Sequence, residues 1–329
     1  MSPPLQPSPT IAAIRLRPGM YIGDTGPRGI AHLVNELVAN GLDQYLAGQA
    51  SRIDITHRGS SICVSDDGAG LPYDVPGTEE KTLAETFFTE LHDTPTADGH
   101  SPHVHLNPGG VGLIVMTALS SKVEVVSHRA GFRWQQRFEN GCAVSSPRKT
   151  VSSDRGTSIT FAPDETVLSA NTPSWPLIRR KFFETAHLFP GVILGLQRET
   201  FHAQGGLLDL VKFFSCKDDT LLSTADQPSL QVDFEMDGIH INAAAYGTAK
   251  TCQWLSWCNG LSTSQHGTHV AGFKDALRSV AWTPAAAMIH VLMKQPAFNA
   301  PTKSSLATKH VQKVVRNAIR DQLTKNRPA

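Results

Sequence analysis

Cysteine is sparse in this chain and follows no pattern. The 329 residues hold five (Cys63, Cys142, Cys216, Cys252 and Cys258), and no two form a C-x-x-C pair. An odd, scattered set supports neither a disulfide framework nor a zinc ribbon, and it suits a reducing compartment. Long apolar runs are missing too: no stretch reaches the ~18 residues that mark a membrane-crossing helix. The opening MSPPLQPSPT is proline-rich and lacks the apolar centre of a signal peptide. The expectation is a cytoplasmic protein without a membrane partner. Nor is there an excess of charge. Thirty basic and 29 acidic residues leave a formal +1, which gives no global argument for a nucleic-acid partner and leaves only a local basic face open.

What is present is an ordinary globular mixture, 40% hydrophobic and 18% charged, long enough for two cores. Residues 1–9 read as a flexible arm. Turn-rich RPGMYIGDTGPRG then leads into a helix over about Ile30–Leu46, where Leu33, Val34, Leu37, Val38 and Leu42 recur at helical spacing. RIDITHRGSSICVSDDGAGLP reads as a hairpin with a glycine-rich exit. A helix near Leu83–Leu91 precedes a loop rich in Pro, Gly and His. GGVGLIVMTALS opens a helix from a glycine turn, and strands follow near Val123–Ser127, Phe132–Phe138 and Thr157–Phe161. After a helix near Pro176–Ala186 and a strand near Val192–Gln197, the pattern restarts at Gly205. A helix comes first there, then strands at Leu230–Glu235, His240–Ala245 and Gln253–Cys258. GTHVAGFKDALRSVAW reads as a loop entering a helix, MIHVLMKQPAF as a strand, and Ser305–Leu323 as a terminal helix. Helices and strands mix without strict βαβ alternation, which makes the class α+β. The domains fall at 10–204 and 205–329.

Four constellations carry chemistry. Glu36, Asn40 and Asp43 stand at i, i+4 and i+7 of the first long helix and share one stripe; alone, such a stripe is also what a solvated face looks like. Asp66-Asp67-Gly68-Ala69-Gly70 puts a carboxylate at a strand end, where it can accept from an exocyclic amine, although D-D-G-x-G is also a common turn. Gly109, Gly110 and Gly112 open an apolar helix, an arrangement that holds phosphate on free backbone N–H groups. It is not the G-x-x-x-x-G-K-[ST] loop. Thr157 enters a strand behind Gly156.

In that order the four resemble the ATP-binding fold shared by gyrase, heat-shock chaperones, histidine kinases and MutL. RLRPGMYIGDT, ahead of the helix, looks like the signature of the gyrase B family and its topoisomerase IV counterpart. GTHVAGF at 267–273 and PTKSSL at 301–306 resemble that family's transducer domain and its lysine loop. The resemblance implies a GHKL (Bergerat) ATP-binding sandwich followed by a ribosomal S5-like α/β transducer domain. It also implies ATP and Mg2+ as cofactors. By matching position, Glu36 would be the general base, Asn40 the Mg2+ ligand and Asp43 a supporting carboxylate. Asp66 would read adenine, with Gly70, Pro72 and Thr157 around the same base. Gly110, Val111 and Gly112 would form the lid round the triphosphate, and Lys303 would reach the terminal phosphate. The function implied is ATP hydrolysis driving a dimeric clamp, as the ATPase part of a type IIA topoisomerase. Implied partners are a second copy when ATP is bound, DNA, and separate gyrase A-like and cleavage polypeptides. The alternative is a stand-alone nucleotide switch acting in resistance or defence without strand passage.

The chain departs from the family's pattern at several positions. Ala39 stands where the helix usually keeps an aspartate, Ala69 and Gln135 where the family has arginines, Gly109 in place of a histidine, and Pro301 in place of a glutamine. These departures bear on turnover, on coumarin binding and on gated dimerisation. The arm before Thr10 is short and has no tyrosine. No stretch resembles the metal-binding E-G-D-S-A of the family's cleavage domain, so this polypeptide by itself is not expected to cut DNA. His100, His103 and His105 include an H-x-H but no fourth ligand at zinc spacing. Lys309, Lys313, Arg316, Arg320, Lys325 and Arg327 on the terminal helix, against Asp321 alone, form either a solvated face or a phosphate-contacting one.

Overall fold

The computed structural model describes residues 7–78, 80–91, 103–107, 112–215 and 227–325. It begins with helices α1 (Pro9–Leu16), α2 (Gly19–Ile22) and α3 (Pro27–Leu46), then the hairpin β1 (Arg52–Arg58) and β2 (Ser61–Asp66). Short helices α4 (Leu83–Thr89) and α5 (Gly112–Ala118) lead to β3 (Ser120–Arg129), β4 (Phe132–Glu139), β5 (Cys142–Ala143), β6 (Arg148–Val151) and β7 (Gly156–Pro163). Then come α6 (Trp175–Leu188), β8 (Ile193–Leu196) and β9 (Glu199–Phe201). The later elements are α7 (Gly206–Ser215), β10 (Ser229–Met236), β11 (Ile239–Tyr246), β12 (Gln253–Cys258), β13 (Leu261–Ser262), α8 (Thr268–Arg278), β14 (Ala286–Met293) and α9 (Lys309–Lys325). The mixture is α+β. Two compact units interleave along the chain, one of Met1–His100, Gly109–Phe183 and Val192–Phe201, the other of Ser101–Pro108, Glu184–Gly191 and His202–Ala329.

In the first unit one sheet runs β5-β4-β3-β7-β2-β1-β8-β9, with β6 also on β4. Every pairing is antiparallel except β1 with β8. Register sets the site. Gln136, Val125, Ile159, Val64 and Ile55 lie abreast, and Phe138, Val123, Phe161 and Ile62 form the next row. Both rows are buried, and each such apolar side chain contributes roughly 1.5–3 kcal/mol. Two residues the other way along the strands, the row reads Trp134, Ser127, Thr157, Asp66 and Ile53. Because side chains alternate faces, this polar row shares the covered face with the apolar ones. On α3, Leu33, Val34, Leu37, Val38 and Leu42 are buried, and Gly41 brings the helix close to Ile53, whose Cδ1 would lie 2.8 Å from any Cβ added there.

Helix α1 begins at Pro9, the last residue of the expected arm. Ser8 accepts from the Ile11 N–H, Pro9 takes the first helical turn, and Ile11 and Ile14 are buried. Arg15 binds the Ala118 carbonyl at 2.8 Å and Asp164 at 2.6 Å. Two buried isoleucines in eight residues are too short a pattern to stand out from a proline-rich leader. Residues 1–6 lie outside the described set.

The second unit has the sheet β10-β11-β14-β12-β13, antiparallel except β12 with β14. Ala287, Ile289 and Val291 of β14 join Val270 and Phe273 of α8 and Val311, Val315 and Ile319 of α9 in one core. Gly272 lets α8 and α9 touch backbone to backbone, since a Cβ there would run into Gln312 and Arg316 main-chain atoms. On the other face of β14, His290 is fully enclosed. Its Nδ1 donates to the Leu188 carbonyl at 3.2 Å and its Nε2 accepts from the Gly260 N–H at 3.0 Å.

Candidate functional site

Three polar residues of the first unit gather where the apolar rows give way to the polar one. Asp66 ends β2, with Thr157 beside it on β7 and Ser127 next on β3. Neighbouring Asp66 and Asp67 have opposite fates. Burial opposes charge on Asp67, but the Ser51 hydroxyl and the Ser51 and Arg52 N–H groups bind it and hold its pKa below the usual range. Asp67 therefore pins the turn. Asp66 turns inward, and burial pushes its pKa up to about 6 despite the Gly68 N–H at 2.8 Å.

The backbone round Asp66 is tightly drawn. Gly70 has φ +80° and packs against the His128 carbonyl; Gly156, at φ +103°, packs against the Asp66 carbonyl. A side chain at either would both strain the backbone and fill the close approach. Leu71 donates its N–H to Ser127 Oγ at 2.6 Å, and the Pro72 carbonyl accepts from Ala84 at the start of α4. Gln44 Oε1 accepts from the Ala69 N–H at 3.2 Å, tying α3 to this turn. The position where the family has an arginine is thus held through its backbone.

The stripe on α3 is not uniform. Glu36 and Asp43 are buried, 9% and 6% exposed, whereas Asn40 between them is open to solvent. His32, one turn before Glu36, has Nε2 3.6 Å from Glu36 Oε1. Ala39 is 5% exposed, so no acid occupies that inward position. Gly112, at φ +65°, begins α5; Gly109, Gly110 and Val111 lie outside the described residues. Lys303 belongs to the second unit, in a loop that precedes α9.

Sequence reasoning passed over Ser127, Gln44 and His32. Ser127 had a signal, a serine on the apolar face of the alternating Val123–Ser127 strand. His32 stands four residues before Glu36. Gln44 had none, because its partner is a backbone group distant in sequence.

Among the described residues no group of three or more His, Cys, Asp and Glu could hold a metal, and no helix is long and apolar enough to cross a membrane. His103 and His105 are described; His100 is not.

No protein-family model matches the chain. Curated relatives do. The chain is 30% identical over 345 residues to the DNA gyrase B protein of Thermotoga maritima, covering 95% of this chain and 54% of that protein. For the gyrase B protein of Streptococcus pyogenes serotype M3 the figures are 34% over 282 residues, 82% and 43%. The chain spans about half the length of the relatives it matches. Among solved structures, the 43K ATPase domain of Thermus thermophilus gyrase B with an aminocoumarin superposes with TM-score 0.79 at 23% identity, covering 96% of this chain and 89% of that one. The topoisomerase IV ATP-binding domain of Francisella tularensis gives 0.78 at 24%, covering 96% and 91%. By sequence the chain is similar to DNA gyrase B proteins over about half their length, and it has the fold of the ATPase domains of gyrase B and topoisomerase IV.

Proposed function

We propose that this chain binds ATP with Mg2+ in its first unit and hydrolyses it, as the ATPase part of a type IIA topoisomerase. The observation that carries the reading is the polar row Ser127–Thr157–Asp66 at the end of an otherwise apolar face, with Gln44 of α3 tied to the turn that leaves it. Asp66 and Thr157 would read the adenine edge, with Gly70 and Pro72 beside the base. The lid would be Gly110, Val111 and Gly112. Glycines 68, 70 and 156 draw the backbone tight round Asp66, because a Cβ at each would meet Asp66 Oδ1, the His128 carbonyl or the Asp66 carbonyl in turn. Asn40, exposed and neutral, would hold Mg2+ through its amide oxygen, with phosphate oxygens as the other hard ligands; the ion supplies charge neutralisation there. Glu36 would take the proton of the attacking water, with His32 beside it and Asp43 a turn further on. Lys303 would meet the terminal phosphate.

Around this activity we place a cytoplasmic clamp that dimerises with ATP bound and works on DNA with gyrase A-like and cleavage partners. The basic stripe of α9 supports DNA. Lys309, Lys313, Arg316 and Arg320 follow at i, i+4, i+7 and i+11, spanning about 16 Å, and among the described residues they form no ion pair. Arg327 lies outside those residues. Salt-sensitive DNA binding follows from this reading.

A second reading, a slow nucleotide switch acting without strand passage, is favoured by Ala39 in the buried position where the family keeps an acid. Two assays separate the possibilities. Glu36→Gln should lower ATP hydrolysis by ~10²–10⁴-fold while nucleotide binding persists; equal rates in wild type and Glu36→Gln, measured with and without DNA, would sink the base assignment. ATP-dependent change in plasmid supercoiling with the partner polypeptides would exclude the switch alone.

A further inference from the structure

The loop carrying Lys303 hangs on the segment before α8. Gln265 N–H donates to the Ser304 carbonyl at 2.9 Å, Leu306 N–H to the His266 carbonyl at 2.9 Å, and Thr268 N–H to the Leu306 carbonyl at 3.0 Å. Leu306 also bridges Gly267 and Phe298. Lys303 itself turns at φ +52°, with its N–H on the Ala300 carbonyl. Where that turn points therefore depends on the backbone of 265–268.

That backbone is unusual at two consecutive residues. Gly267 has φ +134° and passes so near Leu306 that a Cβ would overlap its main chain. His266 precedes it at φ +62°, a region that costs a non-glycine residue roughly 1 kcal/mol or more. Its ring explains why a histidine is held there. His266 Nδ1 lies 3.0 Å from Ser256 Oγ, Ser256 Oγ lies 2.7 Å from Thr263 Oγ1, and Thr263 Oγ1 lies 3.2 Å from His269 Nε2. Ser256, Thr263 and His269 are all buried. One proton arrangement makes all of these bonds at once, with His269 Nδ1 left buried without a hydrogen-bond partner among the described residues. The Thr263 carbonyl, 3.1 Å from Ser256 Oγ, can only accept, so the serine hydroxyl donates to it. Ser256 Oγ then accepts from the Thr263 hydroxyl and from His266 Nδ1–H, and Thr263 Oγ1 accepts from His269 Nε2–H. Burial and Lys274 lower the His266 pKa, and the Nδ1–H bond persists whether the ring is neutral or charged.

We propose that His266 is a positioning residue for Lys303: its ring, fastened to Ser256, fixes the left-handed corner from which the 299–306 loop is strung. The link to turnover rests on the reading of Lys303 as the group that meets the terminal phosphate; the link to the loop does not.

His266→Gly relieves the φ strain and deletes the ring, so a loss of fold is not built into the test. His266→Asn keeps a side-chain donor and tolerates the same φ. In His266→Gly, amide exchange across 303–306 should quicken about tenfold while β11 and β14 keep their protection. ATP turnover should fall ~10-fold at nearly unchanged KM, as misplacement of a group required only at the reacting phosphate predicts. His266→Asn should restore both to within about twofold, and His266→Gly should add nothing to Lys303→Ala. Unchanged exchange over 303–306 in His266→Gly overturns the proposal outright, as does a rate loss additive with that of Lys303→Ala. If Lys303→Ala hydrolyses ATP like wild type, the role of Lys303 falls, and the exchange result still judges the positioning of the loop.

Discussion

Both units bury polar groups against a sheet, but they treat them differently. In the second unit Ser256, Thr263, His266 and His269 bond to one another, and His290 spends both ring nitrogens on backbone partners. In the first, Asp66 is enclosed enough for its pKa to rise to about 6, with the Gly68 N–H on its Oδ1. One polar set is bonded mainly within the protein, with His269 Nδ1 the buried atom left over. The other is held at an energetic disadvantage, as groups that await a ligand are.

The sharpest way to break this comparison is Thr263→Val. It removes the middle of the closed chain and leaves Ser256 and His269 short of a partner, so a loss of about 2–4 kcal/mol in urea unfolding is expected. A loss under ~0.5 kcal/mol would show that the chain of bonds contributes little.

Acidification should come next and should split the units. Burial lowers the pKa of His269 and of His290 to about 3. Between there and an unfolded value near 6.5 the unfolded chain binds more protons, so stability is full above that upper limit and falls with pH, by up to ~1.4 kcal/mol per unit for each histidine. Asp66 has the opposite sign. Its raised pKa means the folded state takes up the proton first, so its contribution improves from pH 6 down to about 4. Segment-resolved hydrogen exchange at pH 7.5 and 5.5, corrected for intrinsic rates, should show β11 and β14 losing more protection than β2 and β7. Equal losses would contradict the assignment of buried neutral histidines.

The smallest effect is a gain. Asp66→Asn keeps an acceptor for the Gly68 N–H but removes the buried charge, so at pH 7.5 the unfolding free energy should rise by about 1 kcal/mol while ATP binding is lost. Destabilisation instead would mean that the carboxylate is structural.

How far these features could be read in advance varies with the kind of contact that makes them. The helix of Glu36, the hairpin into Asp66 and the strand of Thr157 were legible because periodicity and turn residues are local. The terminal helix was legible for the same reason, though α9 starts at Lys309 rather than at Ser305. Helix α1 was not, because Ile11 and Ile14 matter only through the distant residues they pack against. Ser127, Gln44 and the His266 chain were hidden for a related reason: each depends on a partner brought near by strand pairing or loop closure.

By itself, then, the sequence determined which residue types stand at which spacing, and so the α+β class, the order of the polar constellations and the resemblance they carry. Tertiary structure alone decided that Asp66, Thr157 and Ser127 fall in one row. It also decided that Asp67 is spent on the turn while Asp66 faces inward, and that Asn40 is open between two buried acids. The physical reason is that periodicity encodes which way a side chain points from its own element, whereas charge state and exposure depend on what other elements place around it.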